Sequence, residues 1–366
     1  MNVKIITRHA PSNYGSLLQS IALVKKVEIF GHRAEIIDYR RKDEIGIRKV
    51  WTEARRKFGN PLKQWLYTIV RYPIERLAEG RFAKMRTNYL PMTQKCESHE
   101  ELETLKADLF MTGSDQVWGA MVNGKYDSAY FLSFVHSARK VSYAASFGKT
   151  VFDRATANEY RKMLASYDKI AVREDSAVVL MESWGLRNCI GQVLDPTLLL
   201  TADEWRQFFH IKKTACKPYV LVYQLHNDQC LSAYAKALAR EMGMELVRVN
   251  PFFHQVRRGG RFVCCPNVKD FLRLIDNCSM MVTDSFHGTC FAINLNKQFV
   301  EVLPNNATGT RNQSVLKLMG LSNRIVTDFN DLSLADEPVD YNYVNDILSR
   351  ERDKSLAVLK DLVYPD

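Results

Sequence analysis

The chain has eight cysteines in 366 residues (Cys96, Cys189, Cys216, Cys230, Cys264, Cys265, Cys278 and Cys290), and no two stand at C-x-x-C spacing. That scatter argues against a zinc site or a disulfide framework and points to reduced thiols. No apolar run approaches the roughly 20 residues of a membrane-spanning helix. The opening "MNVKIITRHA" has no apolar leader core and reads as a strand, so a cytoplasmic protein is expected. No G-x-G-x-x-G follows that strand, which counts against a nicotinamide dinucleotide, and no G-x-x-x-x-G-K is present to cradle a nucleoside triphosphate. No carboxylate cluster calls for a metal, and short-period repeats and low-complexity tracts are missing as well.

Acidic residues are scarce in one place above all. Between Arg40 and Arg86 there are fourteen Lys and Arg against five Asp and Glu, a local net of +9 in a chain whose formal charge is +10. The same segment holds Trp51, Phe58, Trp65, Tyr67, Tyr72 and Phe82. In "NPLKQWLYTIVRYPIERL", Leu62, Trp65, Leu66, Ile69 and Val70 share one helical face, with Lys63 and Arg71 off it. Such a helix can lie on anionic lipid or pack on its own domain with a solvated basic back. No nucleic-acid motif accompanies it.

What is present is a regular alternation of strand and helix patterns. Val3–Thr7, "RAEIIDY", "DLFMTGS", "VSYAASFG" and "KIAVRE" fill the first half, and "YVLVYQL", "MELVRVN", "MMVTDS" and "QFVEVL" the second. Alternation of this kind predicts parallel sheets covered on both faces. The length favours two domains, so the expectation is α/β with two Rossmann-like domains facing a cleft. Residues 1–195 form the first, with a basic helical insertion over 40–90; 196–345 form the second, and 346–366 a C-terminal helix. The seam is placed by Asp195-Pro196 and a helix cap at Thr201.

Ligands of open α/β sheets bind outside the carboxyl ends of the strands, which selects the candidates. After the first strand come His9 and then Asn13, Tyr14 and Gly15; after the third, Ser114, Asp115 and Gln116; "VRED" adds Arg173. In the second half, "TDSFHGT" supplies Asp284, Ser285, His287, Gly288 and Thr289, and "NNATGTRNQS" a loop with Arg311 ahead of another helix. Helix N-termini with Arg and His suit an anionic ligand. Each also has a plainer account: a turn and cap at Asn13, an anchor for Trp118 in "GSDQVW", an exposed charge pair at Arg173-Glu174, a helix cap at Asp284 or Ser285 with His287 a satisfied polar residue.

"NYGSLLQSIAL", "GSDQVW", "SYAASFG", "VRED", "VLDPTLLL" and "VTDSFHGTCFAI" resemble the successive motifs of the polysaccharide pyruvyl transferase family, in the same order and over nearly the whole chain. The resemblance implies a GT-B-like fold and transfer of a pyruvyl group from phosphoenolpyruvate to a saccharide as a ketal, in surface polysaccharide assembly. It implies no cofactor beyond that donor substrate. His287 matches the family's donor-binding His, and Arg173 the arginine of its "VRE" motif. Family members often carry Arg-Leu-His where this chain has Ser285-Phe286-His287, and Arg311 is the expected substitute for the missing guanidinium. His287 is then expected to bind the donor phosphate and act as general acid, with Asp284 or Asp115 taking the acceptor's proton. The expected acceptor is a lipid-linked or nucleotide-linked saccharide, with peripheral contact to anionic membrane and no nucleic acid. Two other readings stand beside this one: a GT-B-like glycosyltransferase using a nucleotide sugar, and a saccharide-binding protein that has lost the chemistry.

Overall fold

Thr201 shows how local sequence sets the elements. Its hydroxyl accepts the Glu204 N–H at 3.1 Å while the Glu204 carboxylate accepts the Thr201 N–H at 2.7 Å, a reciprocal cap that starts a helix just past the seam. The computed structural model describes every residue except 42, 122, 123, 213, 215, 216, 305–308, 365 and 366, and the side chain of His254. Two units result: Met1–Leu199 with Glu351–Asp366, and Leu200–Arg350.

In the first unit the chain runs β1 (Asn2–Ile6), α1 (Tyr14–Ile29), β2 (Arg33–Tyr39), α2 (Gly46–Lys57), α3 (Pro61–Tyr89), β3 (Met92–Cys96), α4 (His99–Glu103) and β4 (Leu109–Thr112). It continues through β5 (Arg139–Ala145), α5 (Arg154–Leu164), β6 (Lys169–Val172), α6 (Asp175–Ser183), β7 (Cys189–Gln192) and α7 (Pro196–Leu199). The seven strands pair in parallel in the order β3-β2-β1-β4-β5-β6-β7. The order reverses between β1 and β4, where Val3 pairs with Leu109 and Ile6 with Thr112. Trp118 is fully buried against this sheet, stacked on Phe131 at 5.8 Å, with its indole N–H donated to the Tyr130 carbonyl.

The second unit follows the same plan: α8 (Ala202–Phe208), β8 (Tyr219–Tyr223), α9 (Gln229–Glu241), β9 (Glu245–Asn250), β10 (Arg261–Cys264), α10 (Val268–Asn277), β11 (Met280–Thr283), α11 (Phe286–Asn294), β12 (Gln298–Glu301) and α12 (Gly309–Leu318). Its five parallel strands are ordered β10-β9-β8-β11-β12, with the reversal between β8 and β11.

Three expectations need correction. The final helix, α13 (Tyr341–Val363), starts five residues before the expected 346, and from Glu351 onward it belongs to the first unit. Leu359, Leu362 and Val363 are fully buried there, and Ser355 Oγ accepts the Leu194 N–H at 3.0 Å. The seam falls at Leu199–Leu200 rather than after Asp195, because Asp195 and Thr197 are tied into the first unit. Arg311 lies inside α12 rather than in a loop ahead of it; the preceding 305–308 lie outside the described residues. Among the described residues no helix is long and apolar enough to cross a membrane.

Candidate functional site

Reversal points in open parallel sheets leave a crevice at the strands' carboxyl ends, and both units put predicted residues there. In the second unit Asp284, first after β11, accepts the backbone N–H groups of Leu225 and His226 at 2.6 and 2.9 Å. It thereby fastens the loop after β8 to the turn after β11. His226 Nδ1 stands 3.3 Å from Asp284 Oδ2, and the two line a cavity of about 330 Å³ with Asp228, Leu303 and Pro304. His226 carried no signal in the sequence; its pairing with Asp284 is a tertiary one, 58 residues apart.

Ser285 caps α11 by accepting the Gly288 N–H at 3.2 Å, and this sets His287 in the first turn, where the helix dipole favours negative charge. The His287 ring stands edge-on to Phe286 with centroids 5.2 Å apart. Arg311 reaches the other participant, its guanidinium carbon 5.6 Å from the Phe286 ring centroid. Gly288 is constrained by space: a Cβ would lie 2.4 Å from Thr283 Oγ1 and 3.1 Å from Tyr223 Cδ1. Thr289 turns inward, donating its hydroxyl to Glu301, which also accepts from Asn312 Nδ2. Burial pushes the Glu301 carboxyl well above the usual carboxylate range; the Thr289 and Asn312 hydrogen bonds oppose that rise and nearby Asp284 adds to it. Of the residues expected on the substrate, Gly288 is closely packed and Thr289 is hydrogen-bonded internally.

In the first unit the reversal point is filled by a buried ionic cluster. Arg173 Nη1 donates to Asp195 Oδ2 at 2.8 Å, its Nε stands 3.5 Å from Glu174 Oε1, and its Nη2 is 4.0 Å from Asp115 Oδ1. Burial opposes its charge, yet the carboxylates of Glu174, Asp195 and Asp115 prevail and hold its pKa above the ordinary value. Ser114 Oγ donates to Asp195, and Ser16 Oγ to Asp115, which sits at φ 79°. Arg173, the residue expected to grip the donor, ties three strand-end loops together through these ion pairs.

The other candidates of this unit are similarly engaged. His9 is fully buried, with Nε2 3.1 Å from Asp38 Oδ1; Asn13 caps α1 by accepting the Gly15 and Ser16 N–H groups. Tyr14 packs on Phe82 of α3 at 5.0 Å. Gln116 donates its N–H to Asp115 Oδ1, and its amide lies where a Cβ on Gly148 would be. The same unit also holds an unpredicted cavity of about 800 Å³ lined by Arg40, Arg41, Asp43, Arg55, Arg56 and Glu97, among others. Asp38 engages Arg40 bidentately and Asp43 engages Arg41. The structure therefore brings together Asp284, Ser285, His287 and Arg311 in one unit, and Ser114, Asp115 and Arg173 in the other.

Solved structures share the fold. The Methanocaldococcus jannaschii UDP-GlcNAc 2-epimerase in complex with UDP-GlcNAc and UDP is 15% identical, with 100% of each chain covered and a TM-score of 0.51. Arabidopsis thaliana UGT89C1 is 8% identical, with 99% of each covered and a TM-score of 0.52. The S. aureus MnaA-UDP structure is 12% identical, covering 97% of this chain and 90% of that one, with a TM-score of 0.51. At these identities the likeness establishes the GT-B-like fold alone. No curated protein matches the chain. Residues 13–306 match the family described as polysaccharide pyruvyl transferase, so the chain belongs to that family.

Proposed function

We propose that this protein transfers a pyruvyl group from phosphoenolpyruvate to two hydroxyls of a saccharide, forming a ketal and releasing phosphate. The observation that carries the reading is His287 in the first turn of α11, at the reversal point of the second sheet, with Arg311 drawn to the adjoining Phe286. A helix start with an imidazole and a guanidinium suits a phosphate and carboxylate donor. In the reaction one proton goes to the donor's methylene carbon, which becomes a methyl group. C2 takes on oxocarbenium character, one hydroxyl oxygen bonds to it, phosphate leaves with the C2–O bond pair, and the second hydroxyl closes the ketal. The two hydroxyl protons balance the methyl proton and the phosphate proton. His287 delivers the proton to carbon and steadies the phosphate. Asp284 is pinned by two N–H groups and faces His226, so we assign proton acceptance from the hydroxyl to this pair.

A second reading draws on the fold neighbours, two of which are complexes with UDP ligands: transfer from a nucleotide sugar. Thermal unfolding separates the two. Phosphoenolpyruvate should raise the melting temperature and UDP-sugars should not, since a ligand that binds only the folded state at 100 times its Kd adds about 2.7 kcal/mol. Phosphate release from phosphoenolpyruvate should depend on added saccharide. Protection by UDP-sugars alone would overturn the pyruvyl reading.

A further inference from the structure

Helix α3 is built inside out. Its buried side holds Thr68, Glu75, Ala78, Phe82, Met85 and Arg86, and Glu75 sits there between Lys49 Nζ at 2.7 Å and Arg71 Nη2 at 3.3 Å. The outward side of its first turns is apolar: Leu62, Trp65, Leu66, Ile69, Val70 and Leu77 are each 56–68% exposed. At about 100° per residue they occupy one arc of about 140°, opposite the buried set. A helix of a soluble protein turns such an arc toward the core. Left outside, it marks a contact surface.

Charge identifies what covers it. Across α2 and α3 the eight exposed charged side chains are all Lys or Arg, four on each helix, while Glu53, Glu75 and Glu79 are each at least partly buried. A second copy packed by a two-fold axis would set this cationic surface against itself. An anionic bilayer offers both an apolar interior for the arc and phosphates for the cations. We propose that the α2–α3 hairpin seats the protein on anionic membrane, with the arc at the headgroup boundary. Arg55 and Arg56 of α2 also line the 800 Å³ cavity, so seating brings that cavity to the headgroups. On the reading proposed above, the acceptor saccharide is then carried on a lipid phosphate; only this last step rests on that reading.

Co-sedimentation of the purified full chain with vesicles tests the surface without donor or acceptor. Pelleting is expected with phosphatidylcholine–phosphatidylglycerol vesicles, not with phosphatidylcholine alone, and should fall as salt rises. The exposed triple variant L66E/I69E/V70E should pellet on the order of 100-fold less while keeping the wild-type melting temperature. The variant K63E/R76E/K84E should lose anionic selectivity in the same way. Equal pelleting with both lipids, or none with either, overturns the proposal. So does a dimer in analytical ultracentrifugation, formed without lipid and abolished by the apolar triple variant, because a second copy would then be the occupant. Failure of phosphoenolpyruvate to bind would strike the catalytic reading and leave these outcomes untouched.

Discussion

His287 occupies a helix start whose cap, Ser285, and whose closest neighbours, Phe286 and Gly288, are all fixed by packing. Its ring is buried against Phe286, so His287→Ala should lower the melting temperature somewhat, while turnover of phosphoenolpyruvate falls by about 10²–10⁴-fold; steady-state phosphate release on the folded variant checks it. Gly288→Ala should act mainly on stability, destabilising by about 1–3 kcal/mol, because its Cβ would meet Thr283 Oγ1 at 2.4 Å; urea unfolding reads that loss. Glu301 supplies a pH signature. Its folded pKa is raised by burial, so its contribution to stability is complete below the ordinary carboxylate pKa and is lost as pH rises through the raised value. Glu301→Gln stays neutral at every pH. The variant should therefore gain on the wild type by up to about 1.4 kcal/mol per pH unit across that window, as measured by denaturant melts at several pH values. The Asp284 and His287 positions were legible because a strand, a polar turn and an apolar helix follow one another in "MMVTDSFHGTCFAI". His226 was not: "QLHNDQC" has no local pattern, and only the pairing of β8 with β11 brings it to Asp284.

Elements were legible wherever periodicity was strong. The strand expected in "MMVTDS" forms as β11 over Met280–Thr283, and α11 follows it from Phe286. The basic segment shows the limit of pattern reading. Its periodicity gave the helical face correctly but not its direction, because the side that faces inward was set by the Glu75 ion pairs and by Phe82 on Tyr14. Arg173 teaches the same lesson. As a strand-end arginine it suited an anionic donor, yet Asp195, Glu174 and Asp115, which come from three separate loops, already answer its charge. Removing one partner of a buried ionic cluster leaves the others uncompensated, at a cost of about 3–5 kcal/mol. Arg173→Ala should thus lower the melting temperature far more than His287→Ala does, and Arg173→Lys should recover part of it. A variant that unfolds like the wild type but no longer binds phosphoenolpyruvate would return Arg173 to the donor.

At the scale of the whole molecule the chain does not divide into two consecutive halves. The first unit begins at Met1, pauses at Leu199, and is completed by residues 351–366 after the second unit has intervened. No local pattern announces this, since a C-terminal amphipathic helix looks alike whichever body it joins; the contacts that decide it are long-range. Arg352 Nε donates to the Leu198 carbonyl at 2.7 Å, Lys169 pairs with Asp361 at 2.9 Å, and the Tyr364 ring stands 4.7 Å from His32. Leu359, Leu362 and Val363 are fully buried in the first unit. Each such side chain stabilises by about 1.5–3 kcal/mol, so together they account for a large share of the 5–15 kcal/mol that separates folded from unfolded domains. A chain truncated after Arg350 should therefore lose the stability of its first unit and leave the second, Leu200–Arg350, with its own core around Val220, Val282 and Val300. Limited proteolysis of the truncated chain should cut within residues 1–199 and spare a fragment close to residues 200–350. Cleavage no faster than in the full chain would show that the terminal helix contributes nothing to the first unit, against the burial of those three side chains.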